Sequence, residues 1–238
     1  SISEVGLSSF VDLQELKLSL FFEFEKCPYI HPLSCLVVND EKDNFTIPVG
    51  YLCEEAELGS LKEFLASHIL CSNYACFLRE IFHIAEGIQF LHDHGIIHND
   101  FHIGNVLVFP RGNGIRMRII DFGDGEIVEE FKLKRNSHLT TQKRCYLASI
   151  PEFIDLKTFD EMAVFKEDWN DYAHLLSTIV GDVMMNERVE FKEIKKLIAV
   201  LKGNEYWKLG NVLQTIREYI DREIENCSVE KKFFLQRT

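Results

Sequence analysis

The sequence contains no apolar run long enough to cross a membrane, and basic residues are in the minority. A membrane-spanning helix needs about 20 consecutive apolar residues, and no stretch of this chain approaches that length. Lys and Arg together number 26 against 38 Asp and Glu, which gives a formal net charge of −12 at pH 7. Because nucleic-acid-binding domains concentrate basic residues on one face, we expect no nucleic acid and no membrane among the partners.

A signal peptide, a disulfide framework and a zinc site are also not expected. The N-terminal residues carry Glu4 and Asp12 rather than the basic segment of a signal peptide. The 7 cysteines are an odd number without a C-x-x-C pair, which favours buried thiols over bridges or zinc ligands. Histidines lie at positions 92, 94, 98 and 102, but Gly95 interrupts any helix that would align them on a metal. These features predict a reducing compartment, the cytoplasm.

What the sequence does contain is a polar stretch, residues 98–105, followed by two short apolar runs. The runs cover residues 106–109 and 116–120, and the segment Pro-Arg-Gly-Asn-Gly separates them. Apolar, β-branched runs around such a turn predict an antiparallel hairpin. The residue before the first strand and the residue after the second then lie side by side. Asn105 and Asp121 are therefore expected to meet at the open end of the hairpin.

Asn105 and Asp121 offer the kind of oxygen ligands that Mg²⁺ prefers. Asp100 lies on the loop that leads into the first strand, close enough to face the same spot. There its carboxylate would orient an attacking hydroxyl or accept its proton. A metal site and a base at one end of a hairpin predict phosphoryl transfer.

The same residues resemble the catalytic and metal-binding loops of the protein kinase superfamily. Both family motifs are matched at every fixed position, H-x-D-x-x-x-x-N by His98, Asp100 and Asn105, and D-F-G by residues 121–123. The stretch IAEGIQFLHDHGIIHND is similar to the family throughout, including the helix directly before the catalytic loop. The resemblance implies a two-lobed α+β fold with a mostly helical large lobe.

Apolar periodicity predicts the elements that flank the motifs. The clearest is a core helix from Asn73 to His94, with Asn73 as its N-cap and Gly95 as its C′ residue. Further helices are predicted over residues 8–25, 169–183, 191–201 and 209–224, and strands over 33–38 and 45–52. Ser60 and Glu63 form a predicted capping box.

The second predicted strand leads into a segment that resembles the hinge between the two lobes of protein kinases. By that alignment Cys53 is the gatekeeper, and the three residues after it contact adenine through their backbone. An ordinary strand-to-helix turn stays open as the alternative, because adenine is read by main chain and leaves little trace in side chains. The cofactor-binding residues that the resemblance implies are Cys53, Glu54, Glu55, Ala56, Phe122 and Gly123.

Asp168 resembles the aspartate that, in protein kinases, opens the long buried helix of the large lobe and braces the catalytic loop. From the residues alone, Asp168 is equally compatible with the N-cap position of that helix. The polar stretch from Gly123 to about Ser149 corresponds to the activation segment of the family.

The chain departs from the family pattern in ways that bear on its function. Asn99 replaces the arginine that grips an activation-segment phosphate in most regulated protein kinases, so regulation by that route is not expected. His102 replaces the lysine of Ser/Thr kinases, and HNDFHIGNVLV with IIDFGD is also similar to the aminoglycoside and choline phosphotransferases. No Gly-rich phosphate loop or strand lysine precedes the first predicted helix, where Glu15 or Glu23 would pair with that lysine. The small lobe is thus expected to be incomplete, with room for a partner that completes it.

These features predict that residues 1–56 form a partial small lobe and hinge, and residues 57–238 the large lobe. The predicted reaction is transfer of the ATP γ-phosphoryl group to a Ser/Thr or Tyr hydroxyl of a protein, with ATP and Mg²⁺ as cofactors. Asp100 would position and deprotonate the acceptor, and His102 would face the γ-phosphate. Asn105 and Asp121 would hold Mg²⁺. A small-molecule phosphotransferase and a pseudokinase that binds a partner without catalysis stay open as alternatives.

Overall fold

A computed structural model of the chain describes residues 18, 27–32, 35–40, 46–67, 74–112, 114–127, 165–187, 190–203 and 211–235. The first part of these residues contains both strands and helices, and the last part is helical. The elements in chain order are β1 (Cys35–Asp40), β2 (Thr46–Leu52), α1 (Leu61–Ser67), α2 (Tyr74–Asp93), β3 (Ile96–Ile97), a 3₁₀ helix (Ile103–Asn105), β4 (Val106–Arg111), β5 (Gly114–Ile119), β6 (Glu126–Ile127), α3 (Lys166–Glu187), α4 (Lys192–Lys202) and α5 (Val212–Leu235). The mixed α+β composition expected from the sequence is confirmed.

The predicted core helix is α2, and it lies at the centre of the buried core. Its fully buried residues recur at helical spacing, and they pack against β5 and α5. A Cβ at Gly87 would lie 2.8 Å from Cδ1 of Ile119, so this glycine permits the close approach of α2 to β5. The helix ends as predicted, because Gly95 has φ +70° and donates its N–H to the carbonyl of His92 at 2.9 Å. Asn73, the predicted N-cap, lies outside the described residues.

The predicted hairpin is formed by β4 and β5, which pair antiparallel from Val106 opposite Ile119 to Arg111 opposite Gly114. Other parts of the chain cover the outer edge of β5. Ile119 donates its N–H to the carbonyl of Tyr29 at 2.8 Å, and Met117 donates its N–H to the buried carboxylate of Glu80 at 2.9 Å. The outer edge of β5 is therefore hydrogen-bonded rather than left open.

Two shorter antiparallel pairs complete the described strands. β1 pairs with β2 and has an irregularity between Val37 and Val38, which confirms the two strands predicted near the start of the chain. β3, which follows α2, pairs with β6, which follows the D-F-G segment. Of the helix predicted over residues 8–25, only Leu18 is described, and Glu15 and Glu23 lie outside the described residues.

The capping box predicted before α1 is present. Glu63 accepts the N–H of Ser60 at 2.8 Å through its carboxylate, and it donates its own N–H to the Ser60 hydroxyl at 3.3 Å. Gly59, directly before this pair, has φ +72°, which a residue with a Cβ adopts only at a cost.

The three predicted C-terminal helices are α3, α4 and α5. α4 packs against both α3 and α5. The carboxylate of Glu223 on α5 accepts the first free N–H groups of α4, those of Glu193 at 2.6 Å and Ile194 at 3.0 Å. No helix in the described part of the chain is long and apolar enough to span a bilayer.

Candidate active site

The open end of the β4–β5 hairpin carries the residues singled out in the sequence. Ile120 donates its N–H to the carbonyl of Asn105 at 3.0 Å, so Asn105 lies across from the residue that precedes Asp121. The side-chain amide of Asn105 in turn bonds to Asp100. Asp100, Asn105 and Asp121 therefore converge on one end of the hairpin, as predicted.

The buried Asn105 side chain is committed to Asp100 through its nitrogen. Nδ2 donates to the Asp100 carbonyl at 2.9 Å and to carboxylate oxygen Oδ2 at 3.1 Å. Since an amide nitrogen has two protons, both are used, and Oδ1 is the atom left to contact a cation. The Asp100 carboxylate is about half exposed.

His102 caps the short 3₁₀ helix. Its Nδ1 accepts the N–H of Gly104 at 2.9 Å, so in the neutral ring the proton is on Nε2. Nε2 lies 3.5 Å from Oδ2 of Asp100. Gly104 leaves room for this arrangement, because a Cβ there would lie 2.8 Å from Cε1 of His102. The hydrogen bond from Gly104 thus fixes both the orientation and the tautomer of the His102 ring.

Asp121 has a left-handed backbone conformation, with φ +64°. Non-glycine residues adopt this region rarely and at an energetic cost. The carboxylate is exposed, and its Oδ1 accepts the N–H of Gly123 at 3.4 Å. The side chain of Phe122 instead enters the core, where its ring centroid lies 5.1 Å from that of His98.

A buried carboxylate, Asp168, holds the loop that carries Asp100. It accepts the N–H of His98 at 2.9 Å, the N–H of Asn99 at 3.0 Å and Nε2 of His92 at 2.8 Å. Burial alone would raise the pKa of Asp168, but the bonds from His92 and the two backbone groups outweigh it and hold the pKa below its usual value. Because α3 begins at Lys166, Asp168 lies inside the first turn, so the N-cap reading was wrong and the bracing role is confirmed.

His98 connects this loop to the D-F-G segment. Its buried Nε2 donates to the carbonyl of Ile120 at 3.0 Å, directly before Asp121. Burial holds the pKa of His98 below its usual value, so the ring is neutral at pH 7. The other histidines of the cluster likewise have partners in the chain, since His94 contacts the carbonyl of Phe90 at 2.7 Å.

The comparison with known families decides the assignment. A model of the protein kinase domain matches residues 33–214, which is most of the chain. This chain belongs to the protein kinase family. The resemblance seen in its two motifs is therefore confirmed.

Curated relatives of this kinase-family chain are serine/threonine kinases. Serine/threonine-protein kinase PLK4 of Nematostella vectensis is 24% identical over 166 residues, 69% of this chain and 14% of the relative. Probable serine/threonine-protein kinase gdt9 of Dictyostelium discoideum is 33% identical over 152 residues, 63% of this chain and 9% of the relative. Probable serine/threonine-protein kinase KKQ8 of Saccharomyces cerevisiae (strain ATCC 204508 / S288c) is 37% identical over 172 residues, 69% of this chain and 22% of the relative. The chain thus spans less than a quarter of the length of each of these relatives.

The segment that resembles the kinase hinge is attached to the hairpin. Leu58 donates its N–H to the carbonyl of Val108 at 3.3 Å, and Val108 donates its N–H to the carbonyl of Gly59 at 2.9 Å. The carbonyl of Ala56 is used within the segment, where it accepts the N–H of Gly59 at 2.9 Å. Cys53 is partly buried and Glu55 is exposed. The contacts of these residues with adenine stay a prediction.

Glu54 ties the same segment to β5 through its side chain. Its half-exposed carboxylate accepts hydrogen bonds from Nη1 of Arg118 at 2.8 Å and Nη2 of Arg116 at 3.3 Å. Both guanidinium groups lie over the ring of Phe109, each 5.3 Å from its centroid. This cluster was not foreseen from the sequence, and it adds a second connection between the hinge-like segment and the strand that leads to Asp121.

Proposed function

We propose that the chain is a protein kinase domain that transfers the γ-phosphoryl group of ATP to a hydroxyl of a protein. The observation that carries this proposal is the convergence of Asp100, Asn105 and Asp121 at one end of the hairpin, linked by the Asn105 amide and by the pairing of Asn105 with Ile120. Membership of the kinase family and the serine/threonine kinases among the relatives support it. A two-lobed arrangement, with the division near residue 56, and a cytoplasmic location are part of the same proposal.

The donor atoms at the site fit Mg²⁺. Asp121 offers an exposed carboxylate, and Asn105 offers the amide oxygen that its bonds to Asp100 leave available. Mg²⁺ binds oxygen, commonly through one or two carboxylates with phosphates and water in its remaining positions. When bound with ATP, the ion would neutralise charge that develops on the phosphoryl oxygens.

Asp100 is proposed to act on the acceptor. Its Oδ2 is occupied by the amide of Asn105, so Oδ1 is the oxygen that would accept a hydrogen bond from the incoming hydroxyl. A carboxylate so placed orients the hydroxyl and receives its proton as the bond to phosphorus forms. The Asn105 bonds hold the carboxylate in one orientation for this role.

His102 is proposed to face the γ-phosphate. With Nδ1 used as the helix cap, the neutral ring presents Nε2–H next to Asp100. The ring would donate a hydrogen bond to a phosphate oxygen where the lysine of Ser/Thr kinases supplies a full charge. The backbone of residues 54–56, together with Cys53 and the Phe122–Gly123 turn, is proposed to hold the nucleotide.

Substitution of the two aspartates tests the proposal by separating binding from transfer. Asp121→Asn should abolish Mg²⁺-dependent ATP binding, because it removes the charged ligand of the ion. Asp100→Asn should leave the dissociation constant within about twofold and lower the rate of phosphoryl transfer by roughly 100-fold or more. Calorimetry with ATP, with and without Mg²⁺, and transfer of labelled phosphate to a general protein acceptor are the measurements.

The outcomes also separate the alternative functions. Unchanged Mg²⁺–ATP affinity in Asp121→Asn would remove the metal assignment. Tight Mg²⁺–ATP binding by the unmodified chain without transfer to any acceptor would favour a binding module. Transfer to a small-molecule hydroxyl but not to protein would favour the second class of phosphotransferase.

A further inference from the structure

Asn99 occupies a position between the buried brace Asp168 and the segment that follows Asp121. Its backbone N–H donates to Oδ1 of Asp168 at 3.0 Å. Its side-chain Nδ2 donates to the carbonyl of Asp124 at 3.0 Å. One residue thus joins the fixed end of the catalytic loop to the far side of the D-F-G turn.

The backbone of Asn99 explains why this residue type suits the position. Its φ is +63°, in the left-handed region. Outside glycine, asparagine and aspartate tolerate this region best. Of these residues, only asparagine has a side-chain N–H that can donate to a carbonyl at neutral pH. The conformation and the hydrogen bond therefore favour the same side chain.

Asp121 also has a left-handed backbone, and bonds on both sides hold it there. Before it, the carbonyl of Ile120 accepts from Nε2 of His98, and after it, the carbonyl of Asp124 accepts from Nδ2 of Asn99. The donors are adjacent residues whose backbone N–H groups bind the same Asp168 carboxylate. A strained conformation persists only where the surrounding structure over-determines it, and these two bonds contribute to that constraint.

We propose that Asn99 is a positioning residue that holds Asp121 in its metal-binding conformation through the carbonyl of Asp124. The Asn99 amide is uncharged and bonds to a main-chain carbonyl. It therefore holds Asp121 whether or not a residue after Asp124 is phosphorylated. The inference rests on the proposed function in taking Asp121 as the Mg²⁺ ligand. It explains how the chain operates without an arginine at position 99.

Asn99→Gly removes the amide and keeps the backbone freedom. We expect the dissociation constant for Mg²⁺–ATP to rise roughly three- to fivefold, because an exposed neutral hydrogen bond lies at the lower end of the usual range. ATP affinity measured in EDTA should change by less than about twofold, since the amide acts on the metal ligand. A variant that is only destabilised would lose both affinities in parallel.

Asn99→Asp is the closer substitution in shape, because it keeps size and left-handed tolerance while it replaces the donor by a charged acceptor. Its added negative charge would by itself favour a nearby cation. Weaker Mg²⁺–ATP binding in this variant would therefore point to the lost hydrogen bond. Glu126→Gln is the matched control, since it changes an exposed side chain close to the same turn, and its affinity should equal that of the unmodified chain.

Hydrogen–deuterium exchange of residues 120–127, measured without nucleotide, provides a readout that does not depend on ATP. Exchange there should be roughly threefold faster in Asn99→Gly than in the unmodified chain or in Glu126→Gln. Faster exchange in a chain that never binds Mg²⁺–ATP would support the Asn99 contact and overturn the proposed function. Unchanged exchange and affinity would overturn the Asn99 inference alone, and so would faster exchange with unchanged Mg²⁺–ATP affinity.

Discussion

The side-chain amide of Asn105 donates both of its protons to Asp100, one to the backbone carbonyl at 2.9 Å and one to carboxylate oxygen Oδ2 at 3.1 Å. The amide nitrogen thereby holds the proposed base, and the amide oxygen is left for the metal. A single side chain thus couples the orientation of the base to the orientation of a metal ligand. This coupling makes Asn105 less replaceable than a simple ligand.

Asn105→Asp should be more harmful than Asn105→Ala, although aspartate is the better metal ligand. The aspartate loses both donors and places a second, buried carboxylate against that of Asp100. We expect the free energy of unfolding to fall by about 1–3 kcal/mol in the aspartate variant, and by less in alanine. Urea unfolding at pH 7.5 provides the measurement. An aspartate variant as stable as the unmodified chain would contradict the assigned bonds.

Asp168→Asn should destabilise the chain substantially. The carboxylate of Asp168 accepts hydrogen bonds from His92, His98 and Asn99. An amide in its place would turn its own N–H protons toward at least one of these donors. Because the site is fully buried, we expect a loss of about 2–4 kcal/mol in the free energy of unfolding. The neighbouring Glu167→Gln, which changes an exposed side chain, should stay within about 0.5 kcal/mol. Equal effects of the two substitutions would remove the bracing role.

Features that depend on neighbouring residues were predicted well from the sequence. The sequence predicts the C′ glycine at Gly95, the capping box of Ser60 and Glu63, and the β4–β5 hairpin, and all three are present in the structure. In each case the residue types that favour the conformation lie within a few positions of one another. The predicted hairpin in turn brings Asn105 and Asp121 together, and both residues also match the kinase motifs.

Contacts between distant residues were not predicted, because periodicity states which face is buried and not which partner it meets. His92 bonds to Asp168 across 76 residues, and Glu54 to Arg118 across 64. For His92 a signal was present, since it follows Ile88 by four residues on the buried face of α2. A polar side chain on such a face needs a hydrogen-bond partner. No comparable signal identified the partner of Glu54.

Glu54→Gln should weaken ATP binding at only a small cost in stability. Its carboxylate is half exposed, so the loss of its bonds to Arg116 and Arg118 should cost less than about 1 kcal/mol of stability. If the cluster fixes the hinge-like segment, the dissociation constant for ATP should rise roughly two- to fivefold.

The control for this prediction is Glu57→Gln, an exposed glutamate in the same segment. A double-mutant cycle of Glu54→Gln with Arg118→Gln, read out as ATP affinity, measures the coupling. Strictly additive effects on affinity would show that the ion pair does not position the segment.

His31 should make the chain less stable as the pH falls from about 6.5 to about 4. Its ring is stacked on Phe109 at 5.3 Å, and burial, with Arg118 as the next cause, lowers its pKa to about 4. The unfolded chain, with an ordinary histidine pKa near 6.5, binds a proton in this range that the folded chain does not, so acid favours unfolding. The contribution is at most about 1.4 kcal/mol per pH unit.

His31→Phe keeps the stacking and cannot be protonated, so its free energy of unfolding should fall less steeply over this range. Urea titrations at half-unit steps of pH measure the slopes, and an unchanged slope in His31→Phe would show that His31 is not the group responsible.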